Sequence, residues 1–207
     1  HTAYRRQRQM CIRDRSVTQR RVVADQPDAL RQALLDLAHD CDVVVSTGGV
    51  SAGDTDWIRP LVAELGAVDF WKLFLRPGRP FAFGSIGEGV PFFGLPGNPV
   101  AAAVTALQLL WPALQVLEGQ SEPELFPRVM VELADPLSRR PGRPELARAR
   151  LDTNAAGALL ARVDGSQASS RIGSLQQADL LLELPADAGP LESGTRLWAQ
   201  LIRQRIF

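Results

Sequence analysis

Histidine, cysteine and lysine are nearly missing from this 207-residue chain, and each shortage closes off a class of chemistry. His1 and His39 are the only histidines, so neither a histidine-based metal site nor a Ser–His triad can be assembled. Cys11 and Cys41 are too few for a disulfide framework or a cysteine zinc site. Lys72 is the only lysine, so all but one of the 23 basic residues are arginine. They are balanced by 23 acidic residues, and zero net charge offers no electrostatic case for nucleic acid or an anionic membrane. The longest apolar stretch, Val100 to Leu117, is interrupted by Gln108, Pro112 and Gln115, which counts against a membrane span. The expectation is a cytoplasmic protein that works on small molecules.

What is present is a set of loops suited to anions. Leu95-Pro96-Gly97-Asn98-Pro99 follows the apolar run Val90-Pro91-Phe92-Phe93-Gly94 and precedes a long apolar segment. Asn98 is a favoured N-cap and Pro99 falls at the first helical position, where proline is best tolerated. Gly97 lets a ligand approach the backbone, and the free N–H groups of a first helical turn favour negative charge. Taken alone, such a junction is more often an ordinary helix cap than a binding site.

A second cradle lies upstream. Asp42-Val43-Val44-Val45-Ser46 reads as a buried parallel strand. It opens into Thr47-Gly48-Gly49-Val50-Ser51-Ala52-Gly53-Asp54, ahead of a helix from about Asp56 to Leu65. Strand, glycine loop and helix form a layout that wraps a phosphate in backbone N–H groups. The loop lacks both the Gly-Lys-Ser/Thr ending of a P-loop and the Gly-x-Gly-x-x-Gly dinucleotide spacing. A plain βα connection is the competing reading.

Between the cradles, Phe70 to Leu75 and Phe81 to Phe83 read as strands joined through Arg76-Pro77-Gly78-Arg79-Pro80. Pro-Gly at the centre is a type II turn signature and would bring Arg76 and Arg79 together. Two adjacent guanidiniums repel unless an anion sits between them, although a solvated surface turn would use the same residues. Asp25, after the short run Val22-Val23-Ala24 and before a helix from about Gln26 to Ala38, and Asp56 would lie at the carboxyl ends of strands. There they could hold Mg²⁺ against a bound anion, or simply cap helices.

These blocks carry a resemblance. The run from about Val22 to Gly119 is similar to the second half of the molybdopterin-binding domain of the molybdopterin molybdenumtransferase (MoeA/gephyrin E-domain) family. The matching pieces are Asp42 to Ser51, Asp54-Thr55-Asp56, Phe70-Trp71-Lys72, Arg76 to Gly84 and Gly94 to Pro99. The resemblance implies Mg²⁺-dependent insertion of molybdate into adenylylated molybdopterin, with release of AMP. It implies catalytic roles for Asp25, Asp56, Arg76 and Arg79, with Asp25 and Asp56 as magnesium ligands. It also implies a pterin-phosphate pocket lined by Ser46, Thr47, Gly48, Gly49, Val50, Ser51, Pro96, Gly97, Asn98 and Pro99. Arg76 and Arg79 stand where the family commonly has lysines, which keeps the charge but replaces a compact ammonium by a planar fork.

The expected fold class is α/β: residues 17–119 as a partial MogA-like molybdopterin-binding domain with a mostly parallel sheet and flanking helices, then a linker at 120–127. Short alternating runs over 128–207 read as a small all-β, barrel-like domain. Gly165-Ser166-Gln167, with Ser174-Leu175, resembles part of the family's C-terminal barrel domain, where Ser166, Ser169 and Ser170 are either site-facing or turn residues. A second Pro-Gly-Arg-Pro, Pro141 to Pro144, reads as a hairpin loop. Residues 1–16, rich in arginine, resemble nothing in the family and read as a non-family, non-native leader on a fragment. Three readings follow: the transferase, homodimeric in its full-length form; a catalytically incompetent molybdopterin-binding fragment; and a scaffold role supported by kinship alone. An adenylyltransferase-like activity ranks lower, because that family lacks the Arg-Pro-Gly-Arg and Pro-Gly-Asn-Pro pairing and the β domain.

Overall fold

Two sheets organise the chain, and the residues that seal them together also build the site. The computed structural model describes residues 15–50, 57–163, 167–168, 170 and 172–203, with residues 70 and 71 as backbone only. Helix α1 (Pro27–Asp40) leads to strand β1 (Val44–Thr47), helix α2 (Ile58–Leu65), β2 (Gly66–Trp71), β3 (Ala82–Ile86) and β4 (Val90–Leu95). A nearly continuous helical run follows: α3 (Pro99–Thr105), a π-helical turn (Ala106–Leu110) and α4 (Trp111–Leu117).

The first sheet has the order β1-β4-β3-β2. The expected mostly parallel sheet is instead mixed. Only β1 and β4 run parallel, while β2–β3 and β3–β4 are antiparallel. The cause is connection length: the Gly87–Gly89 turn between β3 and β4 is far too short for a parallel crossover, which needs about a dozen residues. β2 also starts earlier than the aromatic run suggested, because it pairs along the whole of β3, from Gly66 opposite Ile86 to Trp71 opposite Ala82. Val22-Val23-Ala24 joins no ladder among the described residues, and Val22 is exposed, so Asp25 does not end a strand.

Successive residues of β4 face opposite ways and define two cores. Phe92 packs with Leu34, Val44, Ile58, Leu61 and Val62 under α1 and α2. Phe93, with Phe81 and Leu95, faces Ala102, Ala106, Leu109, Leu110 and Ala113 of the long helical run. That run, Pro99–Leu117, is long and apolar enough to cross a membrane by length and composition, with mean hydropathy 1.7. Here one face covers the sheet, and buried Gln115 pins the connecting segment: its Nε2 donates to Glu124 O at 3.1 Å, and its Oε1 accepts from Glu124 N–H at 2.8 Å.

The second sheet is a closed barrel of order β5-β7-β6-β8-β9, built from β5 (Arg128–Leu133), β6 (Glu145–Thr153), β7 (Leu159–Arg162), β8 (Leu180–Leu184) and β9 (Arg196–Leu201). A short helix, α5 (Ile172–Gln176), precedes β8. Ala147, Ala149, Ala161 and Ala199 fill the narrow interior beside Leu133, Leu180, Leu182 and Leu197. The unbroken triplet Leu180-Leu181-Leu182 has a structural reason. Leu180 and Leu182 point into the barrel, while Leu181 turns outward with Leu146 onto Val100 and Val104 of α3. A strand buried on both faces reads as a continuous apolar run. The Pro141–Pro144 segment is not a hairpin loop, because β7 lies between β5 and β6. It belongs to a longer connection that passes over one end of the barrel.

Candidate anion-binding site

Parallel pairing of β1 with β4 puts Thr47 opposite Leu95, so both glycine loops leave the sheet at the same end and side by side. Gly48 N–H donates to Leu95 O at 3.0 Å. A Cβ on Gly97 would stand 3.5 Å from Gly48 Cα, so the two loops touch backbone to backbone. Gly48 has a φ of +85°, a conformation that favours glycine. Neighbouring strand ends with exposed loops beyond them are where open α/β sheets bind ligands.

The cradle residues divide by role. Thr47, Gly49, Gly97, Asn98 and Pro99 are exposed, Gly48 is half-buried and Pro96 is buried. Val50 departs from expectation: its side chain is almost fully buried in the core beneath α2, so only its backbone can serve a ligand. Asn98 occupies the N-cap position with Pro99 behind it, yet its side chain makes no capping hydrogen bond. The Ser46 hydroxyl is buried and has no hydrogen-bond partner. An orphaned hydroxyl under the cradle is a cost that a bound polar ligand would remove. Ser51 and Asp56 lie outside the described residues, and Asp25 stands exposed just ahead of α1.

The arginine turn sits farther along α3. Lys72 leaves the sheet with a φ of +95°, and its N–H donates to Phe81 O at 2.9 Å. Leu73 N–H donates to Arg79 O at 2.8 Å and closes the loop. Gly78, at φ +110°, lies against the helix: a Cβ there would be 2.4 Å from Thr105 Cγ2 and 3.7 Å from Ala101 O. Ala101 and Thr105 are one and two turns into α3, so the arginine turn lies about 5–10 Å along the helix from the Asn98 cradle. Arg76 turns its backbone to an external partner, since Arg76 O accepts from Leu146 N–H at 2.8 Å. Arg76 N–H donates to Pro144 O at 2.9 Å, and Arg143 Nη1 donates to Leu75 O at 3.2 Å. The segment read as a bystander hairpin therefore grips the anion turn.

Two charged residues of β6, not singled out by the sequence reading, complete the surroundings. Glu145 is buried and lies 3.6 Å from Arg76 Nη1, while the Arg76 side chain is 60% exposed. Arg148 is buried, and its N–H donates to Gln167 Oε1 at 2.9 Å while Gln167 Nε2 donates to Arg148 O at 3.1 Å. Its Nε donates to Ser174 Oγ at 3.0 Å. Burial holds the Arg148 guanidinium below the usual arginine range, with Glu145 opposing that shift and Arg76 adding to it. Three positions apart, Glu145 and Arg148 lie on opposite faces of β6, and residues 145–149 are buried throughout, so both faces of the strand are covered there. Of the C-terminal serines, Ser170 is exposed, whereas Ser166, Ser169 and Gly165 lie outside the described residues. Among the described residues no group of three or more His, Cys, Asp or Glu side chains could hold a metal.

Fold and site together define a class: a mixed α/β sheet with two adjoining glycine loops and an arginine turn braced by a β-barrel. Comparison with known proteins narrows it. Residues 9–116 match the family described as "Probable molybdopterin binding domain", a match that begins inside the arginine-rich N-terminal stretch. Residues 130–201 match the "MoeA C-terminal region (domain IV)". The chain is 33% identical over 202 residues to gephyrin of Dictyostelium discoideum, covering 87% of this chain and 28% of that protein. It is 31% identical over 173 residues to molybdopterin molybdenumtransferase of Haemophilus influenzae, covering 84% of this chain and 43% of the relative. The fold superposes on a MoeA protein of Pyrococcus horikoshii with a TM-score of 0.71 at 24% identity, over 88% of this chain and 43% of that one. The chain belongs to the molybdopterin molybdenumtransferase family, the MoeA/gephyrin family. It spans less than half the length of these curated relatives.

Proposed function

We propose that the site binds adenylylated molybdopterin and inserts molybdenum from molybdate, with magnesium at Asp25 and Asp56 and AMP as the released product. One observation carries the reading: the phosphate-type cradle and the arginine turn lie along a single helix, α3, about 5–10 Å apart. An extended anionic substrate fixed at the cradle would present its far end to the turn.

The chain's own groups would divide the work. Backbone N–H groups around Gly48 and Gly97 would hold a phosphate, and the Ser46 hydroxyl would gain a partner. Arg76 and Arg79 would receive the tetrahedral oxyanion, Arg79 from its exposed position and Arg76 from beside Glu145. Barrel and helix contacts would keep both in place, so that catalysis is chiefly positioning and charge neutralisation. Asp25 and Asp56 suit magnesium by donor type, and no salt bridge among the described residues engages Asp25. When bound, that ion supplies neutralisation of phosphate charge.

Calorimetric titration with adenylylated molybdopterin, with and without Mg²⁺ and molybdate, tests the reading when AMP is followed by chromatography. Binding followed by Mg²⁺- and molybdate-dependent AMP release is the expected result. Binding without release would reduce the chain to a pterin-holding unit, a reading consistent with its spanning less than half of its relatives. A folded chain that binds nothing would remove the cradles as a site.

A further inference from the structure

We propose that Glu145 of the barrel is a positioning residue for the anion turn, holding Arg76 while the site is empty and releasing it to an arriving oxyanion. The inference rests on the reading of Arg76 as an oxyanion receptor and adds a control element from outside the α/β sheet.

Backbone geometry places the carboxylate. Arg76 adds to the start of β6 as a parallel bridge opposite Glu145, with its N–H bonded to Pro144 O at 2.9 Å and its O to Leu146 N–H at 2.8 Å. Leu75 is packed against Leu146, Leu181, Val100 and Val104, so the residues on either side of the ion pair are seated in the seam between barrel and α3. Gly78, in contact with Thr105, fixes the other arm of the turn. What remains free to move is the Arg76 side chain.

The pair is also asymmetric. The Glu145 side chain is 9% exposed, whereas that of Arg76 is 60% exposed, and they approach only to 3.6 Å. That is an ion pair without a short hydrogen bond. The buried partner cannot follow Arg76 outward, but Arg76 can swing to a ligand. A buried carboxylate is costly when left alone, so Glu145 requires a nearby cation, and Arg76 supplies it. An incoming oxyanion therefore competes with a carboxylate for one guanidinium.

Sodium molybdate is a sufficient probe, titrated calorimetrically into the wild-type chain, Glu145→Gln, Arg76→Gln and the double variant. Glu145→Gln is expected to bind molybdate about three- to tenfold more tightly, and Arg76→Gln more weakly. In the Arg76→Gln background, Glu145→Gln should change nothing, because its effect passes through Arg76. Weaker or unchanged binding in Glu145→Gln, or an equal gain in both backgrounds, would overturn the role of Glu145 while leaving the arginine turn as receptor. Absence of molybdate binding by the wild-type chain would overturn that receptor reading, and this inference with it. Should Glu145→Gln fail to fold, thermal melting of Arg76→Gln decides. Loss of the partner of a buried carboxylate should lower the melting temperature without molybdate, and an unchanged melt would sink the proposal.

Discussion

The two halves of the candidate site are built in different ways. The cradles are made of backbone: Gly48 and Gly97 meet at neighbouring strand ends, and Asn98 keeps its side chain uncommitted. The arginine turn is made of side chains whose placement is borrowed from elsewhere, with Pro144, Glu145 and Leu146 on one side and Thr105 on the other. A backbone cradle needs only the right loop between strand and helix. A side-chain receptor on a protruding turn needs a second body to lean on, and the barrel supplies it. The comparison predicts that damage to the barrel seam will reach the turn before it reaches the cradles.

Leu181→Ala probes that dependence most strongly. Leu181 is fully buried and faces α3 across the seam, so truncation should cost about 2–5 kcal/mol in urea unfolding. Its molybdate affinity, measured on the folded fraction, should fall more than its affinity for a pterin phosphate. Equal losses would show that the cradles also depend on the barrel.

Gly78→Ala acts at the opposite brace. The substitution forces a side chain into φ +110° and brings its Cβ to 2.4 Å from Thr105 Cγ2. Thr105 cannot easily give way, since it is buried, β-branched and donates its hydroxyl to Ala101 O at 2.8 Å. The expected cost is about 1–3 kcal/mol, together with weakened molybdate binding. A stable Gly78→Ala protein with wild-type molybdate affinity would mean that the helix does not position the turn.

In the cradle, Gly48→Ala should cost only about 1–2 kcal/mol, because the strain is in its φ of +85°. Its Cβ would stand 3.9 Å from Gly97 Cα, an ordinary contact. Phosphate-ligand affinity should drop while molybdate binding at the turn persists. Loss of both would merge the two subsites into one.

The same division explains what could be read in the sequence. The cradles were legible because each is one contiguous stretch, apolar run then glycine loop then helix, and the barrel strands were legible from their spacing and turns. The mixed sheet was not, because strand direction is set by the short Gly87–Gly89 link and not by strand composition. Val50 looked like part of a loop but is a core residue, since β1 ends early enough for the loop to fold back beneath α2. Arg148 escaped notice because Ala147-Arg148-Ala149-Arg150 alternates as a half-solvated strand would, and Glu145 because its partner Arg76 lies some seventy residues earlier in the chain. Leu180-Leu181-Leu182 was the available signal: an unbroken leucine triplet in an otherwise alternating barrel marks a strand with something packed on its outside.

Asn98→Ala carries the smallest expected effect and tests the comparison most sharply. An asparagine at an N-cap ordinarily stabilises its helix by about 1 kcal/mol, through a side-chain bond to the first-turn N–H groups. Asn98 has the extended backbone of a cap, with φ −71° and ψ 124°, and its carbonyl accepts from Ala102 N–H at 2.9 Å, yet its side chain makes no such bond. Replacement by alanine should therefore cost less than about 0.5 kcal/mol, because there is no capping bond to lose. The first-turn N–H groups that a capping asparagine would occupy remain open to a ligand, and the uncommitted amide is available to the same ligand. Near-wild-type unfolding combined with reduced affinity for the pterin phosphate would fix Asn98 as a binding residue at a capping position. A loss of a full kilocalorie with unchanged affinity would return it to an ordinary cap, and the α3 end of the cradle would then be structure and not site.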